Sequence, residues 1–187
     1  MEKWHGPQNP QKGVTVAGSG LPIAAEAAAP RRLYVLGTHG GAGEDSLADI
    51  LGPGALPARH AWPNAADSAE AVPVLLCART DWHGLRSASL TASQWGAGQV
   101  RGILMLGLVL IDDQPGKLPK PLQDLADLVK GGVPAAWRFS YYEELRLGLP
   151  GSEIKLDKQS RRTVEAVRRE YTAASGLHLQ EDKENTQ

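Results

Sequence analysis

The segment Ile103-Leu-Met-Leu-Gly-Leu-Val-Leu-Ile111 has no charged or polar side chain. It lacks the alternation of a half-exposed strand and falls well short of the roughly 18 apolar residues that cross a membrane. It therefore reads as the central strand of a sheet covered on both faces. Val72-Pro-Val-Leu-Leu-Cys-Ala78 is a second run of this kind, and Leu33–Leu36 a shorter one. Amphipathic segments alternate with these runs. Glu44–Leu51 follows the first. Gly84–Ala97 follows the second, with Leu85, Ala88, Ala92 and Trp95 at three- and four-residue spacings. Pro121–Lys130 follows the third, carrying Leu122, Leu125, Ala126 and Val129. Ala135–Ser140 reads as a short strand, Tyr141–Gly148 as a short helix, and Ile154–Ala174 as the region of a final charged helix. The pattern predicts a three-layer α/β domain: a mostly parallel sheet with helices on both faces.

Composition bounds what surrounds that sheet. A chain of 187 residues, 42% hydrophobic, supports one core. Its domain is expected at residues 31–178. Residues 1–30, rich in Gly, Pro, Ala and Gln without helical or strand period, read as a flexible tail, and residues 179–187 as a polar, disordered one. A formal net charge of -1 gives no global field for nucleic acid or an anionic membrane. The single cysteine, Cys77, excludes an internal disulfide and reads as a small core residue. Met1–Pro10 has no secretory pattern and no apolar run is long enough for a membrane span, so a cytoplasmic protein is expected.

Function, in such a sheet, is sought outside the carboxyl ends of the strands. Three of those ends carry polar residues: Thr38 and His39 after the first, Thr80, Asp81 and His83 after the second, Asp112 and Asp113 after the third. After the first comes Thr38-His-Gly-Gly-Ala-Gly-Glu-Asp-Ser46, with the layout of a phosphate-binding loop. Gly40, Gly41 and Gly43 let backbone N–H groups approach an anion at a helix N-terminus.

The segment His39-Gly-Gly-Ala-Gly-Glu-Asp-Ser46 resembles a degenerate form of the deviant Walker A loop of the ParA/MinD (SIMIBI-class) family, Lys-Gly-Gly-x-Gly-Lys-Thr/Ser. Gly40, Gly41 and Gly43 match, and Ser46 matches the hydroxyl that often follows. His39 stands at the signature lysine, Glu44 at the phosphate-binding lysine and Asp45 at the magnesium-binding hydroxyl. Val74–Leu85, Leu106–Asp113 and Arg138–Pro150 resemble later family segments, so the likeness spans about residues 32–150. The chain is also similar to small proteins of actinobacterial mobile elements with the same lysine-less loop. The resemblance implies a reduced P-loop NTPase-like fold, a bacterial partition, conjugation or mobile-element setting, and a homodimer or protein partner through the loop face.

The departures from the pattern decide the expected chemistry. Exchanging the loop lysine for Glu44 turns attraction for phosphate into repulsion. Each such term is worth about 4 kcal/mol at about 4 Å and an effective dielectric near 20, enough to remove micromolar affinity. The interval before Val72 has no clear hydrophobic strand ending in a Walker B aspartate. No catalytic residue and no cofactor are therefore expected, and the reading is a non-catalytic binding or adaptor protein. The alternatives are a nucleotide-dependent switch, with ATP and magnesium held through Arg79 or Arg86, and a DNA-binding accessory protein.

Plainer readings stand beside each of these. The loop also serves as a strand-to-helix turn, with Glu44, Asp45 and Ser46 as first-turn or capping residues. His39, Asp81, His83, Asp112 and Asp113 have the chemistry of a metal site, led by His39, His83 and Asp112, but not tight ligand spacing, and Asp112-Asp113-Gln-Pro-Gly116 suits a turn. Of five tryptophans, Trp95 and Trp137 fall at core positions. Trp62 and Trp82 are candidate partner anchors, edge packing being the alternative. Arg161, Arg162, Arg168 and Arg169 form either a basic contact face or a solvated one.

Overall fold

The computed structural model describes residues 6–176. Its strands are β1 (Ile23–Ala27), β2 (Leu33–Gly37), β3 (Ala55–Pro57), β4 (Trp62–Asn64), β5 (Val72–Arg79), β6 (Ile103–Ile111) and β7 (Ala136–Phe139). Its helices are α1 (Glu44–Leu51), α2 (Trp82–Gly96), α3 (Lys120–Lys130), α4 (Glu143–Arg146) and α5 (Lys158–Ser175). Five strands form one parallel sheet in the order β3-β2-β5-β6-β7. The two continuous apolar runs, β5 and β6, are interior strands with both faces covered.

Alternate residues of each strand feed opposite layers, as the two-residue period requires. Val35, Leu75, Cys77, Val109 and Ile111 pack with Leu47 and Leu51 of α1 and Val164, Val167 and Tyr171 of α5. Leu36, Val74, Leu76, Leu108 and Leu110 pack with Leu85, Ala88 and Trp95 of α2 and Ala126 and Val129 of α3. The architecture is the expected three-layer α/β one. Counted along the chain, the five strands run 2-1-3-4-5, the flavodoxin-like doubly wound order, whose switch point lies between β2 and β5.

Boundaries moved where a cap or a turn overrides periodicity. Asp81 accepts the Gly84 N–H at 2.8 Å, so α2 starts at Trp82 rather than Gly84. Asp157 accepts the Ser160 N–H at 2.7 Å and sets the start of α5. The short helix expected at Tyr141–Gly148 contracts to α4. The interval before β5, expected to hold no hydrophobic strand ending in an aspartate, contains the three-residue strands β3 and β4, which end in Pro57 and Asn64.

The N-terminal stretch is the larger correction. Composition predicts no strand there, yet β1 pairs in parallel with β4, Ile23 opposite Trp62 and Ala27 opposite Asn64. The fixing group lies in α2. Gln94 Oε1 accepts the Leu21 N–H at 2.9 Å and the Trp62 indole N–H at 2.8 Å, while its amide donates to the Leu21 carbonyl at 2.8 Å. One buried amide thus satisfies groups from two distant segments, a pairing no local pattern encodes. Residues 1–5 of the expected N-terminal tail, and the C-terminal tail at 179–187, lie outside the described residues.

Candidate functional site

Because β2, β5 and β6 are adjacent and parallel, the loops that follow them share one edge of the sheet. The turn from β2 into α1 needs glycine at its last step. Gly43, the N-cap of α1, has φ of 92°, and a Cβ there would lie 3.0 Å from Ile111. No side chain caps α1, so Glu44 and Asp45 occupy its first turn beside the helix's positive end.

Glu44 is the decisive residue. It is 5% exposed, and its carboxylate turns back to accept the Gly37 N–H at 2.7 Å. Its other oxygen lies 3.9 Å from His60 Nε2, and His60 Nδ1 is 3.0 Å from the Gly37 carbonyl. Glu44 is thus held by the end of β2 rather than presented to solvent. Sequence reasoning missed His60. It stands between β3 and β4 with φ of 56°, a backbone state no local signal announced. Thr38 opens the loop with a buried hydroxyl that has no hydrogen-bond partner among the described residues. Ala42 is buried, Gly40, Gly41 and Asp45 are exposed, and Ser46 is half-buried.

His39 joins the loop to β5. Its Nε2 accepts the Arg79 backbone N–H at 3.2 Å, and its Nδ1 lies 2.9 Å from the Gly40 carbonyl. The His83 ring stands edge-on to it, 5.5 Å away. Burial pulls the His39 pKa below its ordinary value, partly opposed by the Gly40 carbonyl, so the folded protein favours neutral imidazole. The unfolded chain titrates near pH 6.5. The stability contributed by neutral His39 is therefore complete above about pH 6.5 and is lost as pH falls from there toward the folded pKa, because the unfolded chain takes up the proton first. Urea denaturation across this range should show stability falling on acidification, with a smaller slope in His39→Gln. An unchanged slope in that variant would contradict this assignment.

Arg79 crosses the same edge. Its Nε donates to the Gly41 carbonyl and its Nη1 to the Asp112 carbonyl, both at 3.3 Å. Beyond it, Asp112 accepts Arg138 Nε at 2.7 Å. Burial raises the Asp112 pKa, with the Arg138 hydrogen bond and charge opposing it. Asp113 accepts the Thr80 hydroxyl at 2.7 Å, and Asp81 is consumed as the cap of α2. Arg138 was legible only as part of a resembling segment, since its role depends on β7 lying beside β6.

The candidate metal set does not assemble: among the described residues no group of three or more His, Cys, Asp or Glu side chains is placed to hold an ion. His39 faces a backbone N–H, Asp112 a guanidinium and Asp113 a hydroxyl. The tryptophans divide. Trp62, a candidate anchor, is fully buried and is core, whereas Trp82 is 62% exposed with the Arg86 guanidinium 5.4 Å over its ring. Trp95 is core in the layer with α2, and Trp137, also expected to be core, is only half-buried, against the layer of α1 and α5. On α5, Arg161, Arg162 and Arg169 are exposed with exposed Glu165 between them, while Arg168 donates to the Leu51 carbonyl at 3.3 Å. Arg168 therefore belongs to the α1–α5 contact rather than to an open basic face. No helix of the described residues is long and apolar enough to cross a membrane. No family model and no curated protein matches the chain.

Proposed function

We propose that this is a non-catalytic binding or adaptor protein whose docking surface is the loop face at the carboxyl edge of the sheet. The observation that carries the reading is Glu44. A triphosphate needs positive charge at that position, because positioning and charge stabilisation do most of the work in phosphoryl transfer. Here a carboxylate stands there, tied to Gly37 and beside His60. The resemblance to ParA/MinD proteins supports a cytoplasmic, mobile-element setting and a protein partner, with a second copy through this face among the choices.

Calorimetry with ATP, ADP and GTP plus magnesium tests it. No binding heat is expected for the unmodified protein, and a gain is expected in Glu44→Lys, with melting curves reporting that this variant is folded. Micromolar binding by the unmodified protein would overturn the reading.

A second reading, a nucleotide-dependent switch, is favoured by Arg79, whose guanidinium reaches the Gly41 carbonyl of the loop. It requires nucleotide binding by the unmodified protein that disappears in Arg79→Ala.

A further inference from the structure

Hydrogen-bond accounting at the loop edge separates acids from arginines. After β2, β5 and β6, Glu44 takes the Gly37 N–H, Asp81 the Gly84 N–H, Asp112 the Arg138 Nε and Asp113 the Thr80 hydroxyl. Among the described residues only Asp45 of these carboxylates has no such donor. The two arginines of the β5–α2 junction are in the opposite situation. Arg79 bonds two backbone carbonyls, and Arg86 lies over the Trp82 ring. Neither meets a carboxylate among the described residues.

A guanidinium held over a ring by cation–π attraction still has N–H donors with which to bind an oxyanion. Trp82 beside Arg86 therefore offers an apolar plate next to unneutralised donors, a residue pair enriched in interface hot spots. Trp82 is also the one exposed aromatic among the large exposed hydrophobic residues described. Single-stranded nucleic acid is held by successive stacking rings, so a lone ring favours a protein.

We propose that the Trp82–Arg86 edge, with Arg79, docks an acidic segment of a partner protein that carries an apolar side chain beside its carboxylates. This rests on the adaptor reading above and names the partner's chemistry. The apolar side chain covers Trp82, and the carboxylates meet Arg86 and Arg79.

The test is an NMR titration of the full chain with a capped peptide of Glu and Asp bearing one central Leu. A saturable shift of the Trp82 indole N–H is expected, weakening with salt as exposed charge pairs do. Trp82→Ala should lower affinity about 30-fold, the size of an interface hot spot. Arg86→Glu should lower it about tenfold or more. A lysine version of the peptide should cause no shift. Both substituted side chains are exposed, and melting curves verify the fold.

Absence of a saturable shift at low salt, or equal binding by Trp82→Ala, overturns the proposal. Tighter binding of a single-stranded oligonucleotide at the same indole assigns the surface to nucleic acid instead. Self-association lost in Trp82→Ala assigns it to a second copy. Failure here is separable from failure of the adaptor reading. A protein that binds neither nucleotide nor this peptide keeps that reading and loses this site, whereas nucleotide binding removes that reading whatever the peptide does.

Discussion

Trp62→Ala is expected to destabilise the protein by about 3–5 kcal/mol, the usual cost of emptying a buried aromatic site. The ring is fully buried in the layer formed with α2, among Leu36, Leu76, Leu85 and Trp95. Its indole N–H also donates to Gln94, so truncation removes a donor from a buried amide as well as a large apolar group. Gln94 holds Leu21 as well, and Trp62 itself pairs with Ile23. The loss should therefore loosen the β1–β4 sheet together with the core. Thermal melting measures the first effect, as a drop of about 6–20 °C for a domain of this size. Hydrogen exchange at the Leu21 amide and at the Ala28 amide, which donates to the Asn64 carbonyl at 2.8 Å, measures the second. A drop of only a degree or two, with those amides still protected, would contradict the account.

Gly107→Ala is the second large effect, expected at about 2–5 kcal/mol from overpacking and left-handed backbone strain together. Gly107 has φ of 150°, and an added Cβ would lie 2.2 Å from the Ala135 carbonyl oxygen and 2.8 Å from the Trp137 ring. That backbone contact cannot yield without separating β6 from β7, where the Leu108 N–H donates to the same carbonyl at 2.9 Å. The cause is a bulge. Val74 pairs with Met105 and Leu75 with Gly107, leaving Leu106 as the extra residue. Displacing β7 also moves Arg138, which should weaken its bond to Asp112 at the functional edge. Melting curves and the NMR signal of the Arg138 Nε–H report both consequences. A variant that melts normally with that signal unmoved would show that the strands accommodate the methyl group.

The two substitutions mark where pattern reading succeeds and stops. Ile103–Ile111 announced a buried strand through composition alone, and its bounds are those observed. Nothing within that run marks Gly107 as a bulge position, because a bulge is defined by the partner strand. Trp62 next to Pro63 was open to either an anchor or an edge-packing reading, since nothing near it in sequence indicates Gln94 or the strand at Ile23–Ala27. The candidate site divides the same way. Position and residue type marked His39, Glu44, Asp112 and Trp82 as polar or aromatic groups at strand ends. Their partners were not legible, because His60, Arg79 and Arg138 arrive from other strands and connections.

What the sequence determined by itself is the layered α/β plan, because burial on two faces and the helical period are local properties of apolar spacing. It also placed the acid Glu44 directly after the glycine loop that follows the first strand. Tertiary structure alone decided what that acid does. Glu44 is turned inward to Gly37 and His60, and Asp112 and Asp113 meet Arg138 and Thr80, because the parallel order β2-β5-β6-β7 brings distant strand ends to one edge. Among the described residues Arg79 and Arg86 meet no carboxylate there, and Trp82 stands exposed beside them in sequence.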